Sequence, residues 1–273
     1  MKVEELLVYG KAHCHSDFSK ILLADMIDKN PLELLTCLDL EVDEETSEKY
    51  KRAVHAIEDG TPLQYALGKV NFYGNEFIVN ENVLIPRFET ETLVENTIEY
   101  IKKYFNSPVD IIDLGCGSGA IGLTLEKKVS TNSVDLIDIS EKALEVANKN
   151  CGKLNSKANI FKSDMFSNVE KKYDVIISNP PYIREDEEIE DIVKNNEPHL
   201  ALYAGVDGLD CYRKILSTIK PYMKERCLIA FEIGYQQKDA ICQLIEEYLE
   251  DVKVICKKDL AEKDRMIFIF KNI

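Results

Sequence analysis

From Val109 onward, short β-branched and aliphatic runs alternate with helical patterns, and few folds accommodate that. The spacing predicts strands at 109–114, 133–138, 158–162, 173–178, 226–232, 252–257 and 265–271. Helical patterns lie between most of them, including 141–150, 208–222 and 236–249. Such alternation implies a mostly parallel sheet covered on both faces. Only Lys257 to Asp264 separates the last two strands, so they are expected to pair as an antiparallel hairpin at the end of the sheet.

The first 70 residues carry no strand signal. Ser16 or Asp17 can cap a helix with Phe18, Ile21, Leu22 and Met26 on its apolar face. Asn30-Pro31 reads as the start of a second helix, with Leu32, Leu34, Leu35 and Leu38 as apolar positions. Acid-rich residues 41–48 begin a third, which should stop at Asp59-Gly60, and Pro62 to Leu67 forms a short fourth. Together they make a small bundle. Val70 to Val79, with aromatic and β-branched residues around Gly74-Asn75, predicts a hairpin connecting the two parts. A helix is expected from about Glu89 to Tyr104.

Charge and cysteine usage narrow the function. Lys plus Arg total 34 against 49 Asp plus Glu, a net charge of −15, which argues against bulk binding to nucleic acid or anionic membranes. No apolar run reaches the ~18 residues of a membrane span. The acids of Met1-Lys2-Val3-Glu4-Glu5 stand where a signal peptide needs an apolar stretch, so a cytoplasmic location is expected. The eight cysteines form no CxxC pair and read as free thiols. His13-Cys14-His15 with Asp17 contains metal-ligand types but no partners at helical spacing. It reads as a frayed or helix-capping segment, and no metal is expected.

Two segments carry chemistry. The first strand runs through Asp113 into Gly115-Cys116-Gly117-Ser118-Gly119. A glycine-rich turn between first strand and first helix lets a ligand approach the backbone closely. Its GxGxG spacing is not the GxGxxG dinucleotide fingerprint, which disfavours a nicotinamide oxidoreductase. Asp113 can accept from a cationic amino group but would repel a pyrophosphate. The second strand ends at Asp138, 23 residues after Gly115, where a carboxylate can accept both ribose hydroxyls or, with Ser140 and Glu141, simply start the next helix. Ile139 follows it. Two acids around such a loop fit S-adenosylmethionine, a nucleoside carrying an amino acid and no phosphate. The third strand leads to Asp164 and Met165, placed to bond the adenine amino group and to cover the ring.

The fourth strand ends in Asn179-Pro180-Pro181-Tyr182. Two prolines cannot donate to the ladder, so the strand stops, at the edge where open α/β sheets bind ligands. The Asn179 side-chain oxygen and the Pro180 carbonyl can form an acceptor-rich corner, and Tyr182 adds a flat face. Such a corner suits a planar NH₂ group, whose delocalised lone pair makes it a poor nucleophile. Catalysis would then be mainly positioning plus electrostatics.

Taken together, these residues resemble the PrmC/HemK family, the glutamine N(5)-methyltransferases of peptide chain release factors. The resemblance runs through Thr61 to Gly68, Phe72-Tyr73-Gly74, Val83 to Glu91, Asp113 to Ala120, and Ser178 to Ile183. It continues through Glu197-Pro198, Ala201-Leu202, Gly205, Asp207 to Leu209, Tyr212-Arg213 and Glu232 to Gly234. It implies a Rossmann-like seven-stranded class I methyltransferase domain at 86–273, with a mostly parallel sheet and an antiparallel last strand. A helical substrate-docking domain at 1–69 and a β-hairpin linker at 70–85 would complete the chain. It further implies that Gly115 to Gly119 and Asp138 bind the cofactor. Asn179 to Tyr182 would hold the glutamine of a Gly-Gly-Gln tripeptide in a class I release factor. Read on their own residue types, Arg87 and Glu89 can orient the wall of the site through a salt bridge or form a purely structural ion pair. Three positions depart from the family pattern: Phe88 and Met165 stand where a proline and an aromatic are usual, and Ala261 to Arg265 lacks a glycine.

Two other functions compete. An N6-adenine methyltransferase would use the same corner on an exocyclic amino group but needs phosphate contacts. Residues 185–191 instead hold six acids in seven, and residues 1–70 hold 8 basic against 14 acidic residues. A non-enzymatic cofactor-binding scaffold would have no need of the corner, yet all four of its residues are present. The expectation is therefore a monomeric protein methyltransferase with a protein partner and no nucleic acid.

Overall fold

The computed structural model describes all 273 residues, and their contacts divide the chain into two compact units. The smaller unit comprises Met1–Val70 and Ile189–Asn196, so the chain returns to it late. It contains α1 (Val3–His13), α2 (Ser16–Met26), α3 (Glu44–Glu58) and α4 (Leu63–Leu67), with α8 (Asp191–Asn196) from the returning segment. Val3, Leu6, Leu22, Leu23, Leu34, Tyr50 and Val54 form its core, all at most 1% exposed.

Local physics explains where this unit differs from expectation. Residues 3–13 form a helix, and the His13-to-Asp17 segment is the helix-capping one expected: Cys14 ends α1, and His15, rather than Ser16 or Asp17, caps α2 by accepting from the Asp17 N–H at 3.3 Å. Asn30 and Pro31 do not start an α-helix. Asn30 Oδ1 accepts from the Leu32 N–H at 2.7 Å, a local turn that competes with helix, and only a 3₁₀ turn at Glu33–Thr36 follows. Of the four leucines expected on its apolar face only Leu34 is buried; Leu32 and Leu35 are 75% and 66% exposed.

The larger unit is a seven-stranded sheet. After the hairpin β1 (Lys69–Phe72) and β2 (Asn75–Ile78) come α5 (Phe88–Tyr104), β3 (Val109–Leu114), α6 (Ala120–Lys128) and β4 (Thr131–Asp138). Next are α7 (Glu141–Lys153), β5 (Asn159–Lys162), β6 (Tyr173–Ser178), α9 (His199–Leu202) and α10 (Asp210–Thr218). The chain ends with β7 (Met223–Glu232), α11 (Lys238–Tyr248), β8 (Val252–Lys258) and β9 (Asp264–Lys271). The strand order is β5-β4-β3-β6-β7-β9-β8. The first five are parallel, and β9 inserts antiparallel between β7 and β8. This is the expected mostly parallel sheet. The terminal hairpin is there too, with β9 rather than β8 against the parallel strands.

Alternate strand residues face opposite layers. Ile112, Leu114, Ile176, Ile229 and Phe231 pack with Tyr212, Ile215 and Leu216 of α10 and Ile241 and Ile245 of α11. The strand order reverses at β3, whose neighbours are β4 and β6, and that switch point is where a ligand crevice belongs.

Acidic residues sit at both ends of the parallel strands, in different company. At the amino ends, Lys224 pairs with Asp110 and Asp174, and Asp135 pairs with Lys171 and accepts from the Tyr173 hydroxyl at 2.6 Å. At the carboxyl ends, Asp113 and Asp138 have no lysine or arginine partner and accept only from backbone N–H groups.

Candidate active site

A cavity of about 320 Å³ opens at the carboxyl ends of β3, β4 and β6. Its floor is the loop 115–118. Gly115 and Gly117 hold φ of +70° and +55°, and a Cβ on either would meet nothing of the protein within 4 Å. The loop therefore combines a backbone that side-chain residues avoid with open space above it, a surface for close ligand approach. Asp138 Oδ2 accepts from the Gly117 N–H and Oδ1 from the Ser140 N–H, both at 2.9 Å. Each carboxylate oxygen keeps a second lone pair for a diol. Burial raises the Asp138 carboxyl. The cap of α7 is Ser140, whose hydroxyl accepts from Ala143 N, so Asp138 is not consumed by helix capping.

Asp113 is fully buried beneath the loop. Oδ2 accepts from the Gly122 N–H at 2.9 Å, and Oδ1 has no partner. Burial, with a smaller push from Asp138, raises its carboxyl to about 7. A buried acceptor without a donor is expensive. A cationic amino group is the ligand chemistry that would answer it. The two acids and the glycine cradle thus suit a cationic, phosphate-free nucleoside such as S-adenosylmethionine.

Asn82 to Leu84, Ile139, Ser163 to Met165, Pro198, Leu200, Ala201, Cys211 and Lys214 complete the wall. Met165 is held at φ +48°, a left-handed backbone that costs a non-glycine residue energy. Asp164 pairs with Lys214, so its carboxylate is not a free acceptor. Sequence spacing assigned no role to Lys214, Cys211 or Asn82 to Leu84, because extended segments and helix faces carry no ligand signature of their own.

Asn179 and Pro181 lie on the wall, beside Thr90. The Asn179 Nδ2 donates to the Thr90 hydroxyl at 3.2 Å, which donates to Glu232 Oε2 at 2.6 Å. Asn179 Oδ1 has no protein partner. Pro180 is buried. Tyr182 packs against the core, its carbonyl accepts from Gln237 Nε2 at 2.9 Å, and burial raises its phenol to about 12, so it stays neutral. Neither Pro180, Tyr182, Gly119 nor Asp113 is on the cavity wall.

The expected Arg87–Glu89 salt bridge does not form. Arg87 pairs instead with Glu197, which is 6% exposed and also accepts from the Ile85 N–H at 3.2 Å. Glu89 is exposed in the first turn of α5, where the helix N-terminus favours an acid. Glu197 clamps the Ile85–Arg87 segment that enters the wall; its distance of 110 residues from Arg87 hid it from spacing arguments.

In the smaller unit, His13 gains partners from another helix. His13 Nδ1 and His55 Nδ1 lie 3.1 Å and 2.9 Å from Glu58 Oε2, and Tyr9 closes on His55 Nε2 at 2.6 Å. The three ligand-type side chains converge within 4.8 Å, but they satisfy one another.

The sequence matches the model of the PrmC N-terminal domain over residues 16–68 and that of the methyltransferase small domain over residues 89–201. It is 39% identical to the release factor glutamine methyltransferase of Bacillus subtilis, over 88% of this chain and 86% of that protein. The Clostridium botulinum enzyme of the same name is 37% identical over 91% and 89%. This chain belongs to the release factor glutamine methyltransferase family. Solved structures agree on the fold. A methyltransferase from Pyrococcus furiosus superposes with a TM-score of 0.54 at 19% identity, covering 74% of this chain and 91% of that one. A 16S rRNA methyltransferase from T. thermophilus gives 0.52 at 16%, covering 75% and 50%. The last turn carries no glycine, and Glu262 there takes φ +59°. No helix is long and apolar enough to cross a membrane.

Proposed function

We propose that this protein transfers a methyl group from S-adenosylmethionine to the side-chain amide nitrogen of the glutamine in the Gly-Gly-Gln motif of peptide chain release factors. Similarity over about nine-tenths of the chain to enzymes named for that substrate supports the class of acceptor. The observation that carries the chemistry is the Asn179 amide, whose nitrogen is committed to Thr90 while its oxygen is left for a donor.

Asp138 would hold the ribose, the 115–118 backbone would run beneath the amino-acid end, and Asp113 Oδ1 would compensate the ammonium. Ile139 and Met165 would cover the adenine, with Asp164 reached through or beside Lys214. The bound cofactor supplies an electrophilic methyl on its sulfonium. The corner of Asn179 Oδ1 and the Pro180 carbonyl would accept both hydrogens of the glutamine amide. That orients the nitrogen and localises its electron density, which is positioning and electrostatic catalysis. Tyr182, neutral up to about 12, cannot serve as base and would pack beside the amide plane. No strong base is needed, because the methylated nitrogen is very acidic and releases its proton late. Docking of the release factor would fall to the helical unit, with the enzyme a cytoplasmic monomer.

A methyl-transfer assay with labelled S-adenosylmethionine tests this. Label should enter a release factor, but neither its variant with the motif glutamine replaced nor duplex DNA. Asn179→Ala should lower turnover by roughly a hundredfold, the scale of a lost transition-state contact, with cofactor affinity nearly unchanged. Label on DNA alone would establish the adenine chemistry instead.

A further inference from the structure

An asparagine amide has two ends, and only one of them can accept. If Asn179 turned by half a rotation, Nδ2 would face the substrate NH₂ and the corner would repel what it must hold. Something has to fix the amide, and the fully buried Glu232 with Thr90, 3% exposed, is built to do so.

Counting hydrogens fixes which end faces the substrate. A carboxylate only accepts, so it claims the single hydrogen of the Thr90 hydroxyl. Thr90 is then left with lone pairs alone toward Asn179, and only Nδ2 can meet them. The Asn179 side chain also opposes the rise of the Glu232 carboxyl, as a donor end turned toward a carboxylate would. A proton on Glu232 reverses every step. The acid donates to Thr90, the threonine hydrogen turns to Asn179, and Oδ1 becomes the favoured inward end.

We propose that Glu232, acting through Thr90, is the positioning residue that holds Asn179 with its oxygen toward the substrate, and that protonating Glu232 turns the corner off. This rests on the acceptor-corner mechanism above.

The surroundings leave that proton poised. Thr90 and the exposed Glu89 face Glu232 from α5, Asn179 and Tyr182 from the loop after β6, Arg265 from β9 and Tyr212 from α10. Burial raises the carboxyl to about 7; Thr90, Arg265 and Asn179 oppose the rise and Glu89 adds to it. Arg265 does not neutralise Glu232 outright, because its Nε is bonded to Asp259 and its Nη1 to the Ile233 carbonyl. Tyr212 spends its hydroxyl on the Glu232 backbone carbonyl at 2.7 Å, not on the carboxylate.

The test is single-turnover methyl transfer to a release factor at saturating cofactor and substrate, followed against pH, with cofactor affinity measured in parallel. The wild-type rate should fall as pH drops below about 7. E232Q, which cannot act as a pure acceptor, should be slow throughout, by roughly the hundredfold cost of a misplaced contact, and should lose the acid limb. Its cofactor affinity should keep the wild-type value and pH dependence, which Asp113 governs. T90V should be similarly slow, and T90S, which keeps the hydroxyl, should recover both rate and limb. An E232Q enzyme with the wild-type rate and limb, or a T90V enzyme with the wild-type rate, would overturn the proposal. If E232Q misfolds, seen as lost cofactor binding, the T90V and T90S pair decides. N179A separates the two layers: a normal rate there brings down the corner itself, whereas a dead N179A beside an unimpaired T90V brings down only the relay.

Discussion

At the residue scale, the most informative side chains are carboxylates that the protein leaves incompletely answered. Asp113 is raised from 3.8 to about 7 by burial. A carboxyl whose folded value lies above its unfolded value favours the folded state only while protonated. Its contribution is complete below about pH 4 and is lost as pH rises through 7. The ligand-free enzyme should therefore lose stability between pH 5 and 7.5, on the order of 2–4 kcal/mol for a shift of this size. Urea midpoints of D113N should lose only part of this, the remainder belonging to Glu232, whose buried carboxyl is also raised to about 7. Saturating S-adenosylmethionine should remove the Asp113 share of the wild-type loss, because an ammonium above the loop stabilises the charged form. A D113N midpoint that falls in parallel with wild type would assign the loss elsewhere. The acids at 113 and 138 were legible in the sequence because strand ends and a glycine loop frame them. Glu232 and Thr90 were not, since their roles arise only when residues 142 positions apart meet in the core.

At the element scale, periodicity located all seven strands, because a sheet covered on both faces writes continuous apolar runs into the sequence. It failed where a side chain competed with backbone hydrogen bonding, as Asn30 does. It was also blind to the tie between the hairpin and the glycine loop. Asn150 of α7 is completely buried and donates to the Ile78 and Ser118 carbonyls at 2.9 Å each, while Oδ1 accepts from the Ile78 N–H at 2.7 Å. One amide thus joins α7, the end of β2 and the glycine loop. Asn150→Ala leaves three backbone groups without partners, the buried Ser118 carbonyl and the half-buried Ile78 N–H and carbonyl, at about 1–3 kcal/mol for each that water does not reach. Chemical denaturation should show a loss of roughly 3 kcal/mol, and cofactor affinity should weaken several-fold as Ser118 loosens. An N150A enzyme of native stability would mean the hairpin is held by packing alone.

At the scale of the whole molecule, charge separates the two halves of catalysis. The chain carries −15, and the cavity offers a ligand buried carboxylates, backbone and apolar walls. The protein substrate must instead approach an acidic exterior, including six acids in residues 185–191 that follow the Asn-Pro-Pro-Tyr turn. Encounter with a basic docking face would be accelerated by that field and screened by salt, whose Debye length is about 10 Å at 0.1 M and about 3 Å at 1 M. KM for the release factor should therefore rise several-fold between roughly 0.05 and 0.5 M salt, while kcat and cofactor affinity, set inside the cavity, stay nearly constant. Replacing Glu185, Asp186, Glu187 and Glu188 by their amides should raise KM at low salt and flatten its salt dependence. If KM is indifferent to salt, docking is apolar, and the exposed Leu32 and Leu35 of the helical unit become the first side chains to substitute.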